Sequence, residues 1–340
     1  MQRLVVIMDN PVNIKAATID DRFLEWNSVK GANSIISAVK SINGSALYYN
    51  SVDAFLGNIE QHKSDLIFPL LYGINSPTSK SIIPAICEGY GIQYIGADTY
   101  AHALCNDKKM SSLYAKDFGI KSSNSVLLRF LNIEEKGILN KLQLPLIVKP
   151  NYGGGSTGIA ITNVTHTHHA AYELAEHLHR VHKMPILVEE IIEGYEVEFI
   201  IVGNQKRILF TSEVKLLMDQ QDYFIDKIWS YETKKINDSN VDFIASNHLS
   251  TETKQHMIDL FQSFSKIEFM RIDGRLCKDS FYLIELSPDC YLGDDCAVAS
   301  AFNARGYSYE DMIKIIVNNA LYPDLCEIPN NLRNLPCMGI

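Results

Sequence analysis

The run RIDGRLCKDSFYLIELSPD, Arg271 to Asp289, alternates polar and apolar side chains on both sides of a short polar break. It reads as a β-hairpin turning at Lys278, Asp279 and Ser280, a register that sets Asp273 directly across from Glu285. Like charges opposed across two strands destabilise a sheet unless something neutralises them, and the usual neutraliser for hard carboxylate oxygens is Mg²⁺. In the same register Arg271 lies opposite Ser287 on the acids' face, while Ile272, Leu276, Tyr282, Ile284 and Leu286 point to the other face, toward a core. An ordinary solvated hairpin is the plainer alternative, and the rest of the chain weighs against it.

The chain has 340 residues, more than one compact core usually holds, so two or three packed domains are expected. With 46% hydrophobic and 21% charged residues it has the composition of a globular protein. The opening MQRLVVIMDN holds only a short apolar stretch before Asp9, which fits a buried first strand better than a secretory segment, and membrane-length apolar runs are missing. The seven cysteines, Cys87, Cys105, Cys277, Cys290, Cys296, Cys326 and Cys337, form an odd, scattered set without a CxxC pair. That argues against a disulfide framework or structural zinc and for a reducing cytoplasm. The net charge of −9 opposes general binding to nucleic acid, but leaves room for local lysines to hold one nucleotide's phosphates.

Apolar strands at Leu4 to Met8, Ala46 to Tyr49 and Leu66 to Pro69 alternate with helical stretches near Ser28 to Ile42, Val52 to Gln61 and Thr78 to Tyr90, an α/β pattern. The run GIQYIG, Gly91 to Gly96, adds a short strand before a helical stretch at Asn106 to Phe118, with a domain boundary near Leu104. Strands Pro145 to Lys149, Ile159 to Thr162 and Ile186 to Glu190, with a helix at His168 to Lys183, make a small α+β unit. From Gly194 come antiparallel strands, a polar stretch at Asp219 to Asn240, a helix from Thr251, the acidic hairpin and a late helix at Tyr309 to Leu321.

In LIVKPNYGGGSTGIAI, Leu146 to Ile161, an apolar strand ends at Lys149 and Gly153, Gly154, Gly155, Ser156, Thr157 and Gly158 follow. Glycines let backbone N–H groups approach an anion closely, and a lysine at a strand end adds a fixed positive charge. The lysine precedes the glycines and no GKS or GKT follows, so this is not a Walker A loop. The run VEEIIEGYEVEFIIVGN, Val188 to Asn204, places Glu196 and Glu198 on one face of an otherwise apolar strand. An acid there can accept hydrogen bonds from ribose hydroxyls, although an amphipathic edge strand would look the same. The histidines His166, His168, His169, His177, His179 and His182 read as surface residues, and Cys290 and Cys296 as small packing residues.

Taken in order, FPLLYG (Phe68 to Gly73), GIQYIGADTYAHALCNDKKMSSLYAKDFGI (Gly91 to Ile120), the lysine and glycine loop, VEEIIEGYEVEF, and RIDGRL followed by YLIELSPD resemble the ATP-grasp superfamily, and within it the D-alanine:D-alanine ligase-like group, over most of the chain. The resemblance implies a nucleotide gripped between two α+β lobes, residues 105–188 and 189–340, behind a Rossmann-like N-terminal α/β domain at 1–104. By position, Lys108 and Lys149 match phosphate-binding lysines, and Ser156, with Gly154 and Gly155, matches the loop that covers the phosphates. Glu189, Glu190 and Ile192 fall in the hinge that contacts adenine, Glu196 at the ribose-binding acid, and Lys227 at the lysine reaching the terminal phosphate. Asp273 and Glu285 match the metal-binding acids, and Arg271 the arginine that steadies the reactive phosphate.

Two departures stand out. Ser287 takes the place of a metal-binding asparagine, so that Asp289 or a water would complete the second metal's shell. The family's histidine-glycine stretch with its acidic continuation is replaced by YGINSPTSKS, Tyr72 to Ser81, which argues against cell-wall D-Ala-D-Ala synthesis and for a different donor or acceptor. Tyr291 and Asp294 follow the hairpin where the family places substrate contacts. The implied activity is an ATP- and Mg²⁺-dependent carboxylate-amine ligase, with Mn²⁺ as the substitute metal, making an amide through an acyl phosphate. A small-molecule kinase of the same fold and a nucleotide-binding regulator without turnover are the alternatives. The expected partners are small carboxylates and amines, with neither nucleic acid nor membrane; a homodimer through the N-terminal domain is open to it, as related ligases are commonly dimeric.

Overall fold

The computed structural model describes residues 3–8, 29–72, 76–156, 158–228 and 241–325. Cys326, Cys337, Asp9, Ser28, Gly73, Thr157 and most of the polar stretch before Asn240 lie outside them. The first sheet is parallel, in the order β2-β1-β3-β4, with β1 Leu4–Met8, β2 Ala46–Tyr49, β3 Leu66–Leu70 and β4 Gln93–Tyr94. Strand β1 is apolar throughout because both of its faces are covered. Leu4, Val6 and Met8 enter one core with helix α1 (Val29–Asn43), while Val5 and Ile7 enter another with Phe55 of α2 (Val52–Leu56) and Ile83 and Cys87 of α3 (Ile82–Tyr90). Two helices are shorter than expected: the one from Val52 stops at Gly57 and resumes as a 3₁₀ turn at Ile59–His62, and the one expected from Thr78 opens with a 3₁₀ turn at Ser79–Ser81 before α3.

The expected helix at Asn106 to Phe118 forms as α5 (Lys108–Lys116), and a further helix that was not expected, α4 (Thr99–Asn106), precedes it and is separated from it by Asp107. Asp107 is extended and its carboxylate accepts from the Met110 amide, so it caps α5 and sets Lys108 as that helix's first residue. A two-residue strand β5 (Lys121–Ser122) then joins the large sheet, and β6 (Ser125–Leu128) and α6 (Ile133–Leu139) open the small one. Strand β7 (Leu146–Pro150) forms as expected, but the strand expected at Ile159 to Thr162 does not. Asn163 folds that stretch into a 3₁₀ turn by donating to the Val148 and Gly158 carbonyls and accepting from the Ala160 amide. The strand begins only at β8 (Val164–Thr165). With α7 (His168–His182) and β9 (Ile186–Glu190), the small sheet runs β6-β9-β7-β8 over its own core of Leu128, Val148, Ala175, Ile186 and Val188.

The large sheet has the order β13-β11-β10-β14-β15-β5, with β12 paired to β10. Its strands are β10 (Gly194–Asn204), β11 (Arg207–Met218), β12 (Tyr223–Phe224), β13 (Val241–Ser246), β14 (Phe269–Cys277) and β15 (Ser280–Ser287). One face packs on α4, α5 and α8 (Thr251–Gln262) through Val197, Phe199, Ile201, Met270 and Ile272. The other face is divided. At one end Ile200, Val202 and Phe269 meet α9 (Ala297–Asn303) and α10 (Tyr309–Leu321), in the same core as α1, and at the other end stand Glu196, Glu198, Arg271, Asp273 and Arg275. Apolar residues thus anchor the strands, and the polar ends of the same strands carry the charges.

The hairpin register is the expected one, with Asp273 across from Glu285 and Arg271 across from Ser287. Beyond the acids it departs. The register shifts by one residue between Asp273 and Gly274, so Gly274 faces Leu283, Arg275 faces Tyr282 and Leu276 faces Phe281. The extra residue reverses side-chain parity in β15: Phe281 and Leu283, not Tyr282 and Ile284, fill the core with Ile272, Leu276 and Leu286. A β-carbon on Gly274 would collide with the Phe281 ring and the Tyr282 carbonyl. Gly274→Ala is therefore expected to destabilise the protein by about 1–3 kcal/mol, measured by urea unfolding. A wild-type midpoint would show that the bulge does not require this close approach.

Candidate active site

Four carboxylates gather at the polar end of the large sheet, and each has a cation. Arg271 grips Asp273 through two hydrogen bonds of 2.7 Å and lies 3.3 Å from Glu198, which stands opposite Asp273 on β10. Lys108, from the first turn of α5, reaches Glu285 at 3.2 Å and also donates to the Gly153 carbonyl. Lys80, from the N-terminal α/β region, meets Asp289 at 2.5 Å. Burying ionised groups costs several kcal/mol each unless they are paired, which is why these charges occur as pairs. Burial alone would raise the Glu285 carboxyl, but Lys108, Lys80 and Arg271 outweigh it and bring it down to about 2. Burial opposes the charge on Arg271 too, and Asp273 and Glu198 more than offset it.

The second part of the site is the glycine loop. Gly153, Gly155 and Gly158 have left-handed φ angles of 93°, 62° and 71°, and Ser156 shares that region at 58°. Asn106, the last residue of α4, accepts from the Gly153 amide and donates to the carbonyls of Ser76 and Pro77, linking the loop to the N-terminal region. Lys149, at the end of β7, is buried and pairs with Glu189 of β9 at 2.5 Å. Glu190 accepts from the Asn124 side chain and the Gln143 amide, while its own amide donates to Asn124 and that of Ile191 to Pro145. The hinge from Glu189 to Ile192 is thus pinned to the small sheet at its first three residues.

Glu196 is held by Arg275 from the adjoining strand at 2.8 Å, and Arg275 also donates to the carbonyls of Phe224 and Lys227, bracing that segment. Lys227 stands apart from the charge cluster. Its ammonium pairs with Asp219 at 3.2 Å and 39% of its side chain is exposed, so its backbone, not its charge, is tied to the site. Ser287 is buried on the acids' face, and Asp289 is engaged by Lys80. Among the described residues no three acidic, histidine or cysteine side chains converge as a ready-made metal centre. The opposed pair Asp273 and Glu285 nevertheless suits Mg²⁺, which binds through one or two carboxylates and completes its shell with phosphate oxygens and water.

Sequence reasoning passed over Lys80, Asn106 and Arg275, and gave Glu198 no role at the site. Glu198 left a signal in its alternation with Glu196, and Arg275 in its period-two spacing from Arg271 and Asp273; Lys80 and Asn106 join the site through packing between elements far apart in the chain. Tyr291 lies against Gly31 and Gly293, where neither has room for a β-carbon, and Asp294 pairs with Lys30 at 3.5 Å. Cys290 and Cys296 are buried, their thiols pushed up by burial, Cys296 to about 12, in keeping with a packing role. His179 and His182 are half-buried instead of exposed, with His179 bonded to the Met184 carbonyl.

Beneath Lys80 and Asp289 lies His102 of α4, buried and held down to about 4, chiefly by burial. Between pH 6.5 and 4 the unfolded chain therefore takes up a proton here that the folded chain does not. The stability tied to this neutral imidazole is complete above pH 6.5 and is lost as the pH falls toward 4, by roughly 3 kcal/mol. His102→Gln is expected to flatten that limb of the curve of Tm against pH. An unchanged slope would mean that the imidazole titrates normally in the folded state.

The family profile described as D-ala D-ala ligase C-terminus matches residues 115–318. The D-alanine–D-alanine ligase of Corynebacterium jeikeium (strain K411) is 26% identical over 264 residues, 76% of this chain and 68% of its own. Among solved structures, the D-alanine–D-alanine ligase of Bacillus anthracis complexed with ATP superposes with a TM-score of 0.67 at 17% identity, over 94% of this chain and 98% of its own. The VanG D-Ala:D-Ser ligase of Enterococcus faecalis does so with a TM-score of 0.65 at 17% identity, over 94% and 99%.

Proposed function

The chain belongs to the D-alanine–D-alanine ligase family of the ATP-grasp fold and is an ATP-dependent ligase, and from that premise we propose that it joins a small carboxylate to an amine as an amide, through an acyl phosphate. The single observation that carries this reading is the set of buried acid–cation pairs centred on Asp273 and Glu285. Before nucleotide binds, Arg271 and Lys108 neutralise the acids. When phosphates enter, the same cations have a stronger anion to hold, and Asp273 and Glu285 become available to a divalent ion. Bound Mg²⁺ would offset charge on the transferring phosphoryl group.

A carboxylate oxygen of the first substrate attacks the γ-phosphorus, the bond from that phosphorus to the bridging oxygen breaks, and ADP leaves. The free amine of the second substrate then attacks the acyl carbon, inorganic phosphate departs with the former carboxylate oxygen, and the nitrogen sheds a proton. Lys149, Lys108 and Arg271 act by charge and position, the main catalytic means in phosphoryl transfer. Gly154, Gly155 and Ser156 are assigned to cover the phosphates and keep water from the acyl phosphate. Adenine is assigned to the hinge at Glu189, Glu190 and Ile192, and the ribose to Glu196, which would exchange Arg275 for the hydroxyls. Asp289 is not needed as a metal ligand in this scheme.

The reported sequence relative is named a D-alanine–D-alanine ligase and lends no support to a different product, and VanG, named for D-Ala:D-Ser, is similar in fold alone, so D-alanine is the first substrate to test. The divergent Tyr72 to Ser81 segment is the observation that favours a different pair. The test is phosphate release from Mg·ATP with pairs of amino acids, one carrying ¹⁸O in its carboxylate. Release should require both substrates and move one ¹⁸O into phosphate; a stable phosphorylated product formed without amine would establish the kinase reading instead. Lys149→Met combined with Glu189→Gln, which leaves no orphan charge, is expected to lower kcat/KM about 10²-fold or more. An unchanged value would remove Lys149 from phosphate binding.

A further inference from the structure

We infer that Lys80 is a resident cation of the reaction site, its ammonium taking up Asp289 where a second divalent ion would otherwise bind, so that the chain works with one metal ion. The inference rests on the ligase reading above and refines the composition of its site. Lys80 belongs to the 3₁₀ turn Ser79–Ser81, which the Ser81 hydroxyl ties to α4 through the Thr99 carbonyl. The Lys80 side chain is 8% exposed and that of Asp289 11%, with the ammonium 2.5 Å from the carboxylate. The ammonium also lies 5.4 Å from the centre of the Tyr72 ring, an arrangement that favours a cation. A lysine this deep costs free energy unless its charge is used, and its field reaches Glu285 as well.

The charge count at the site supports the same conclusion. Glu198, Asp273, Glu285 and Asp289 supply four negative charges, and Arg271, Lys108 and Lys80 three positive ones. Arg271 and Lys108 can turn from their acids to the phosphates. Lys80 comes from the N-terminal region and pairs with Asp289, and it stays with that acid. Next to Asp289 the other donor on the acids' face is the Ser287 hydroxyl, neutral and a weak ligand for a hard cation, so with Asp289 held by Lys80 a second ion at that end would lack a strong protein donor of its own.

The experiment is a Mn²⁺ titration of the full chain saturated with a non-hydrolysable ATP analogue, with free Mn²⁺ counted by electron paramagnetic resonance. The wild type should bind one ion per protein–nucleotide complex. Asp289→Asn should keep that count and change the affinity by less than about threefold, whereas loss of a true ligand costs about tenfold or more. Lys80→Met, which frees Asp289, should add a second ion. Two ions in the wild type, a tenfold loss in Asp289→Asn, or a single ion in a folded Lys80→Met would each overturn the inference; should Lys80→Met fail to fold, the Asp289→Asn result decides. If the analogue does not bind at all, the ligase reading itself fails, and this inference with it.

Discussion

Asp273 facing Glu285 across a hairpin is a repulsion that the fold must contain. It does so by bringing a cation to each acid from a different direction: Arg271 from the same strand, Lys108 from the start of α5, and Lys80 to the neighbouring Asp289 from the N-terminal region. Because pairing must be kept in a buried site, the positions of α5, the 3₁₀ turn before α3 and the large sheet are linked through charge as well as through apolar packing. The Asp107 cap between α4 and α5 makes Lys108 the first residue of α5, so a local capping preference helps to place a charge.

The same pairs give the site a way to store its charges before substrate arrives. An unpaired cluster of lysines and acids would be costly to bury, but a cluster of exchangeable pairs is tolerated, and a polyanionic ligand can take the cations over without leaving the acids bare if a divalent ion enters with it. The glycine loop fits this exchange. Its left-handed backbone brings Gly153 against both Lys108 and Asn106, so the loop, α4 and α5 are joined by hydrogen bonds at the point that the proposed function assigns to the phosphates. Arg275 serves the adjacent position, holding Glu196 and two carbonyls of the segment after β12 at once.

Much of this was legible in the residues alone. The Asp273–Glu285 register followed from alternation and a short turn, the N-terminal α/β unit from apolar strands alternating with helical stretches, and the sharply turning loop from consecutive glycines after a lysine, because each depends on neighbours in the chain. The reading failed where a single residue or a single side chain changed local geometry. One extra residue in β15 exchanged Tyr282 and Ile284 for Phe281 and Leu283 in the core, and Asn163 turned an expected strand into a 3₁₀ turn.

The residue types of the chemistry and the faces on which they sit were therefore set by local pattern, since strand and helix periods assign side chains to faces over a few residues. Which cation meets which acid was settled only by packing. Lys80 and Asp289, or Glu196 and Arg275, are remote in the chain, and their meeting depends on how separate elements stack. Charges act through space over a few ångströms, and the order of residues along a chain does not state those distances.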